Sequence, residues 1–147
     1  MHINYSDGSG LLISTERSLL DIDVIHDFLA NHAYWSPGVP RSTVERSIAG
    51  SLPFGVYDTG ATAIKQIGFA RVISDYATFA YIAGVFIVED YRGRGLSKWL
   101  IGTIRAYPDL QGLRSWVLRT RDAHSLYAQF GFQPLDAPER WMIARDG

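Results

Sequence analysis

The sequence predicts a mixed α/β (α+β) fold: a mixed, mostly antiparallel sheet flanked by about four helices. Three observations predict it. Strand-like apolar runs follow one another from Phe54 to Val88 with only turn residues between them, as in an antiparallel meander. From Val85 onward, strand and helix patterns alternate. The forty residues before Phe54 carry helical rather than strand periodicity.

Taken in order, Leu11-Leu12-Ile13-Ser14-Thr15 reads as an opening strand. Asp21 can cap a helix that places Ile22, Ile25, Phe28 and Leu29 at near-helical spacing. Ser42-Thr43-Val44-Glu45 has the form of a capping box, with Val44 and Ile48 inward and Gly50 closing the helix. Phe54-Gly55-Val56-Tyr57 is a strand, Asp58-Thr59-Gly60 a turn, Ile64 to Val72 a strand, Ser74-Asp75 a turn, and Thr78 to Val88 the next strand. A helix follows with Leu96, Leu100, Ile101 and Ile104 on one face, and it must end before Pro108. Ser115 to Arg119 is a strand, His124 to Phe130 a short helix, and Arg140-Trp141-Met142-Ile143-Ala144-Arg145 a closing strand. No repeat or linker splits the chain, so residues 1–147 are expected to form one domain.

Composition narrows the function. The chain of 147 residues has no cysteine, which excludes a disulfide framework, a thiolate metal site and a cysteine nucleophile and suits a reducing compartment. A formal net charge of −1 with scattered Lys and Arg argues against a nucleic-acid partner. No apolar run reaches membrane length, and the first ten residues lack the basic start and apolar core of a secretion signal, so a soluble cytoplasmic protein without a bound metal is expected.

The stretch Val85 to Leu100 carries the strongest functional signal: an apolar strand, a turn with two glycines, then an amphipathic helix. Gly93 and Gly95 remove side chains where a ligand would touch backbone, and the first helical turn offers unpartnered N–H groups at the positive end of the helix dipole. Arg92, Arg94 and Lys98 add full charges. Spacing discriminates among phosphate loops. One residue separates the glycines, so the nucleotide P-loop fails; Lys98 stands where the dinucleotide fingerprint needs its third glycine. What fits is Arg/Gln-x-x-Gly-x-Gly/Ala, read as Arg92-Gly93-Arg94-Gly95-Leu96-Ser97.

Downstream, Leu126-Tyr127-Ala128-Gln129-Phe130-Gly131-Phe132 forms a second motif about thirty residues on, with a strand between. The two motifs in this order resemble those of the GCN5-related N-acetyltransferase (GNAT) superfamily. The resemblance covers most of the chain and is least diagnostic over Leu11 to Ser51. It implies a sheet whose central strand pair splays apart and holds acetyl-coenzyme A in the gap. Carried over by position, the backbone of Phe86, Ile87 and Val88 would meet the pantetheine arm, and Arg92, Gly93, Arg94, Gly95, Leu96, Ser97 and Lys98 would surround the pyrophosphate. The implied reaction is direct attack of a neutral amine on the thioester in a ternary complex, with a backbone N–H near Phe86 as oxyanion donor and Tyr127 as the proton donor to the departing thiolate. Two positions depart from the family pattern: Ser97 replaces a glycine or alanine, and Gly84 stands where many small-molecule members carry an acid.

The base is open among Glu89, His124, Asp122, Asp75 and water; Glu89 reads better as a solvated or structural residue, and Asp122 reads better as a helix cap. Acceptor contacts are expected from Tyr34, Trp35 and Arg41, in an irregular connection kept so by Pro37, Gly38 and Pro40, with His32 nearby and His124 beside Tyr127. Aromatic walls and one guanidinium suit a small amine bearing a planar anion; the same residues serve equally as core closure and a solvated arginine. Beside an N-acetyltransferase for a small amine or amino-acid-like metabolite stand two alternatives, an acyl-coenzyme A-binding module with little catalysis and a peptide N-acetyltransferase. A homodimer is possible, though no exposed apolar pattern demands it.

Overall fold

The computed structural model describes residues 3–60 and 62–146. Six strands form one sheet in chain order: β1 (Asn4–Ser6), β2 (Leu11–Ser14), β3 (Leu52–Asp58), β4 (Lys65–Ser74), β5 (Phe79–Ile87) and β6 (Ser115–Leu118). The first five pair antiparallel, and β6 joins β5 in parallel through the crossover helix α3 (Leu96–Arg105). Parallel neighbours cannot be joined by a tight turn, so the helix is a topological requirement here. This is the mixed, mostly antiparallel sheet the sequence suggests.

Alternation along the strands decides which layer covers which face. Ala70, Val72, Ala80 and Ile82 point to the side on which α3 buries Leu96, Leu100, Ile101 and Ile104. Phe69 and Phe86 point to the other side, under α1 (Ile22–Asn31) and α2 (Arg41–Ala49), which contribute Ile25, Phe28, Leu29, Val44 and Ile48. The Phe28 and Phe86 rings stack with centroids 4.0 Å apart, which anchors α1 over β5. Among the described residues no helix is long and apolar enough to cross a membrane.

Several elements differ from expectation. β1 has no sequence signal of its own; it forms because the Asp7 carboxylate accepts the amides of Ser9 and Leu11 and folds the chain back. Asp21 caps α1 as expected, its side chain accepting from the Val24 amide at 3.3 Å. The capping box at Ser42 does not form. Pro40 occupies the N-cap with extended backbone, Ser42 is already helical, and Glu45 turns to the guanidinium of Arg41, one helical turn away (Nε to Oε1, 2.9 Å). No strand forms over 140–145. A strand exists through its ladder, and this segment pairs with no strand among the described residues: Pro138–Arg140 make a 3-10 turn, and the residues beyond run irregularly with Met142 97% exposed. The sheet therefore ends at β6.

Candidate acyl-transfer site

β5 leaves the sheet at Ile87 and enters a 3-10 turn, Glu89–Tyr91, which leads into the two glycines. Tyr91 fixes this turn against the β3–β4 hairpin by donating its hydroxyl to Asp58 Oδ2 at 2.6 Å, and the Arg94 guanidinium lies 4.9 Å over the Tyr91 ring. The bond holds the Asp58 carboxyl below the usual carboxylate range and the Tyr91 phenol above its own. Gly93 (φ 78°) and Gly95 (φ 76°) adopt left-handed backbone, and Cβ atoms built there would meet nothing within 4 Å. Conformation rather than crowding selects glycine at both.

Gly95 is the N-cap of α3 and has no side chain to satisfy the first turn. The ladder begins with Trp99 N donating to Gly95 O (3.0 Å); the amides of Leu96, Ser97 and Lys98 have no acceptor among the described residues. They face a cleft lined by Ile87, Gly93, Gly95, Ser97, Lys98 and Leu126, among others. At about 190 Å³ it is smaller than the roughly 300–1,000 Å³ of pockets that enclose a drug-sized ligand. A long ligand would have only part of its length enclosed here.

Beside this turn the sheet opens. β5 and β6 pair only from Phe79↔Ser115 to Ile82↔Leu118, so the rest of β5 has no strand neighbour on that side. β5 also carries a bulge: Phe69 pairs with Phe86 and Arg71 with Ala83, which leaves Gly84 (φ 65°) and Val85 opposite Ala70 alone. The expected backbone contacts at Phe86, Ile87 and Val88 divide unequally. Val88 is committed, its N–H to Ile67 O at 2.9 Å and its C=O to the Tyr91 amide at 3.0 Å. Alternation of the antiparallel ladder then turns the backbone groups of Phe86 toward Phe69 and those of Ile87 toward the gap. The Ile87 carbonyl there accepts from Arg92 Nε at 2.9 Å, which directs this guanidinium along the strand.

Tyr127 lies on α4 (His124–Ala128), in the same buried cluster as Ile87 and Leu96. Burial first, and the Tyr34 phenol second, push its pKa above that of free tyrosine. Phe132 packs edge-on against it at 5.9 Å. Asp122 does not cap α4: the Thr120 hydroxyl accepts the Ala123 amide at 3.0 Å, while Asp122 pairs with Arg121 in solvent. Tyr34 reaches this region across the molecule. Its hydroxyl accepts the Arg121 amide at 3.1 Å, and the Arg121 guanidinium lies 3.8 Å from its ring centroid, so the connection after α1 is tied to the connection after β6. Trp35 packs edge-on against Tyr34 at 5.1 Å and remains half-exposed.

Arg41 does not join this group, because its guanidinium is engaged by Asp23 and Glu45 on the exposed side of α1 and α2. His32 lies 3.4 Å from the Asp27 carboxylate. Glu89 and His124 are exposed. Asp75 is a structural knot: it accepts the amides of Ala77, Thr78 and Phe79 and the Thr78 hydroxyl, which hold its pKa far below the usual carboxylate range. Among the described residues no group of three or more His, Cys, Asp or Glu could hold a metal ion.

A five-strand meander with one parallel strand splayed from it, and a glycine turn with free amides at the head of the gap, define an acyltransferase architecture. Residues 54–134, more than half of the 147, match the family described as acetyltransferase (GNAT) domain, and the chain belongs to that family of acetyltransferase enzymes. A GNAT-family acetyltransferase structure from Xanthomonas campestris pv. campestris is 47% identical, covers 92% of this chain and 93% of its own, and superposes with a TM-score of 0.87. A Gibberella zeae protein named as an acetyltransferase is 29% identical over 80% of this chain and 76% of its own length. The fold is also that of a GNAT acetyltransferase from Elizabethkingia anophelis with acetyl-CoA bound: TM-score 0.63, 14% identity, 87% of this chain and 79% of that one.

Proposed function

We propose that the chain acts as a single domain that transfers the acetyl group of acetyl-CoA directly to a primary amine of a small molecule. The observation that carries this reading is the continuity of the free amides at Leu96, Ser97 and Lys98 with the open edge of β5 and the core that holds Tyr127. The amides and Lys98 would hold the diphosphate, and the N–H of Ile87 would meet the pantetheine arm as a neighbouring strand does. The Ser97 hydroxyl, partly exposed beside the cleft, adds a donor there. Bound coenzyme supplies an activated thioester. The chain's own part is to position it and to hold a proton on Tyr127 for the departing sulfur, a proton that burial retains at neutral pH.

Two further features support details of the reading. The Tyr34–Arg121 bridge ties the connection after α1 to the connection after β6 near Tyr127, and such a tie favours a compact acceptor over a peptide laid in a long groove. No cysteine is available to carry the acetyl group, so transfer proceeds without an acyl-enzyme thioester. Among the described residues no carboxylate is bonded to Tyr127 or Tyr34, and water is the base this reading assigns to the amine proton. A chain without cysteine also suits a reducing compartment, and this reading places the protein in the cytoplasm.

The test has two arms. Calorimetry should register acetyl-CoA binding, and thiol release should then depend on an added amine. Binding without amine-dependent release from a broad amine panel would favour a binding module, and no binding at all would overturn the assignment of the site.

A further inference from the structure

Arg71 of β4 is a partly buried guanidinium that no carboxylate among the described residues neutralises. Its cross-strand neighbours are Pro53 on β3 and Ala83 on β5, both short, so the side chain lies over the sheet without a tall flank. It points to the same face as Phe69 and Phe86. Those two are buried under α1 and α2, but further along this face Arg71, Tyr81, Ala83 and Gly84 all keep partial exposure. The helical cover therefore ends short of Arg71 and leaves a floor open beside the bulge of β5.

One neutral contact lies on this floor: Arg71 Nη1 donates to Ser51 Oγ at 3.2 Å, and Ser51 Oγ in turn donates to Ser47 O at 2.6 Å. A guanidinium has five N–H donors, so most find no acceptor among the described residues. Two other arginines differ. Arg17 is spent on the carbonyls of Ile48 and Ser51, and Arg41 on Asp23 and Glu45. Burial draws the Arg71 pKa below that of a free guanidinium, the mark of partial dehydration. A dehydrated cation without a counter-ion is costly, and a protein keeps one where a ligand supplies the anion. Gly84 leaves room for that ligand: a Cβ built there would stand 3.8 Å from Arg71 Nε and 3.5 Å from the Phe69 ring.

We propose that Arg71 recognises a carboxylate on the acceptor, so that the amine acetylated by this chain belongs to an amino acid or a related aminocarboxylic acid. The inference rests on the acetyl-transfer reading above. Arg71 is in register with Ala83, and its Nε lies 3.8 Å from a Cβ built at Gly84, which sets the guanidinium against the bulge, a short span from the gap on which that bulge opens. That span suits an amine and a carboxylate within one compact molecule. The fork of the guanidinium takes a carboxylate through two parallel hydrogen bonds, a geometry that lysine does not reproduce.

The experiment compares amino acids with their carboxamides as acceptors for wild type, Arg71→Gln and Arg71→Lys, alongside thermal melts and acetyl-CoA calorimetry of each. In wild type the free acid should exceed its amide by about 10- to 100-fold in kcat/KM, the range expected of hydrogen bonds to a charged group. Both variants should shrink that ratio toward one, mainly through KM of the acid, and should retain the acetyl-CoA affinity. A second readout needs no turnover: in the presence of coenzyme A, titration with an N-acetyl amino acid should shift the Arg71 Nε–H resonance, assigned by its disappearance in Arg71→Lys. Equal use of acid and amide by wild type, an undiminished preference in Arg71→Gln, or an unmoved resonance would each overturn the role of Arg71 while acetyl transfer stood. Failure to bind acetyl-CoA would instead overturn the underlying reading, and this one with it.

Discussion

At the residue scale, Tyr127 separates a chemical role from a packing role. Its ring is buried in the cluster with Ile87 and Leu96, and Phe removes the hydroxyl while keeping that packing. Tyr127→Phe should lower kcat by about 100-fold or more, the usual size of a general-acid contribution, with acetyl-CoA affinity and melting temperature near wild type. The pH profile sharpens the test. The active acid is the protonated phenol, populated below its pKa, and burial raises that pKa above the ordinary tyrosine value. The alkaline fall of kcat in wild type should therefore lie above about pH 10, the value for free tyrosine. A fall near neutral pH, or an unchanged kcat in the variant measured by thiol release, would remove Tyr127 from the chemistry. The glycine turn and its free helical amides were legible in sequence at this scale because left-handed glycines and N-terminal amides are local properties. Arg71 was not, since its meaning comes from its register with Pro53 and Ala83 and from where the helical cover stops.

At the element scale, the turn before α3 depends on left-handed backbone at Gly95 (φ 76°), where an added Cβ meets no atom within 4 Å. Gly95→Ala should thus pay only the conformational penalty, roughly 1–2 kcal/mol for an L-residue in that region. If the chain relaxes to escape it, the N–H groups of Leu96, Ser97 and Lys98 lose their convergence. Melting temperature and acetyl-CoA calorimetry should both register the change, and a variant with wild-type affinity would show that these amides do not form the diphosphate site. The elements also show what local sequence can specify. α1 starts where Asp21 says, and α3 follows its apolar stripe, because caps and 3.6-residue periodicity act within a few residues. The Ser42 box failed for an equally local reason, since Pro40 supplies extended backbone two residues earlier and Arg41 competes for Glu45. The strand expected over 140–145 failed for a non-local one: its apolar residues match a strand, but strand formation needs an edge to pair with, and pairing lies outside any window of sequence.

At the scale of the whole molecule, the sheet is complete on one side of β5 and missing on the other. β4 pairs with β5 along most of its length, whereas β6 leaves after Leu118. The free edge and the free helical amides thus lie on one continuous line, from the bulge at Gly84 to Lys98, although they belong to different elements. A ligand that satisfies both should act as a missing strand and a missing cap at once, and it should stabilise the native state by mass action, about 2.7 kcal/mol at one hundred times its dissociation constant. Hydrogen exchange can locate that stabilisation. In the free protein the amides of Ile87, Leu96, Ser97 and Lys98 should exchange faster than those of Val88 and Trp99, which are bonded to Ile67 and Gly95. With acetyl-CoA bound, the first group should slow selectively, beyond the uniform protection expected from global stabilisation alone. Uniform slowing without this local excess would mean that the coenzyme binds elsewhere on the fold, and slowing confined to Leu96, Ser97 and Lys98 would mean that the diphosphate is held at the turn while the pantetheine arm does not complete the sheet.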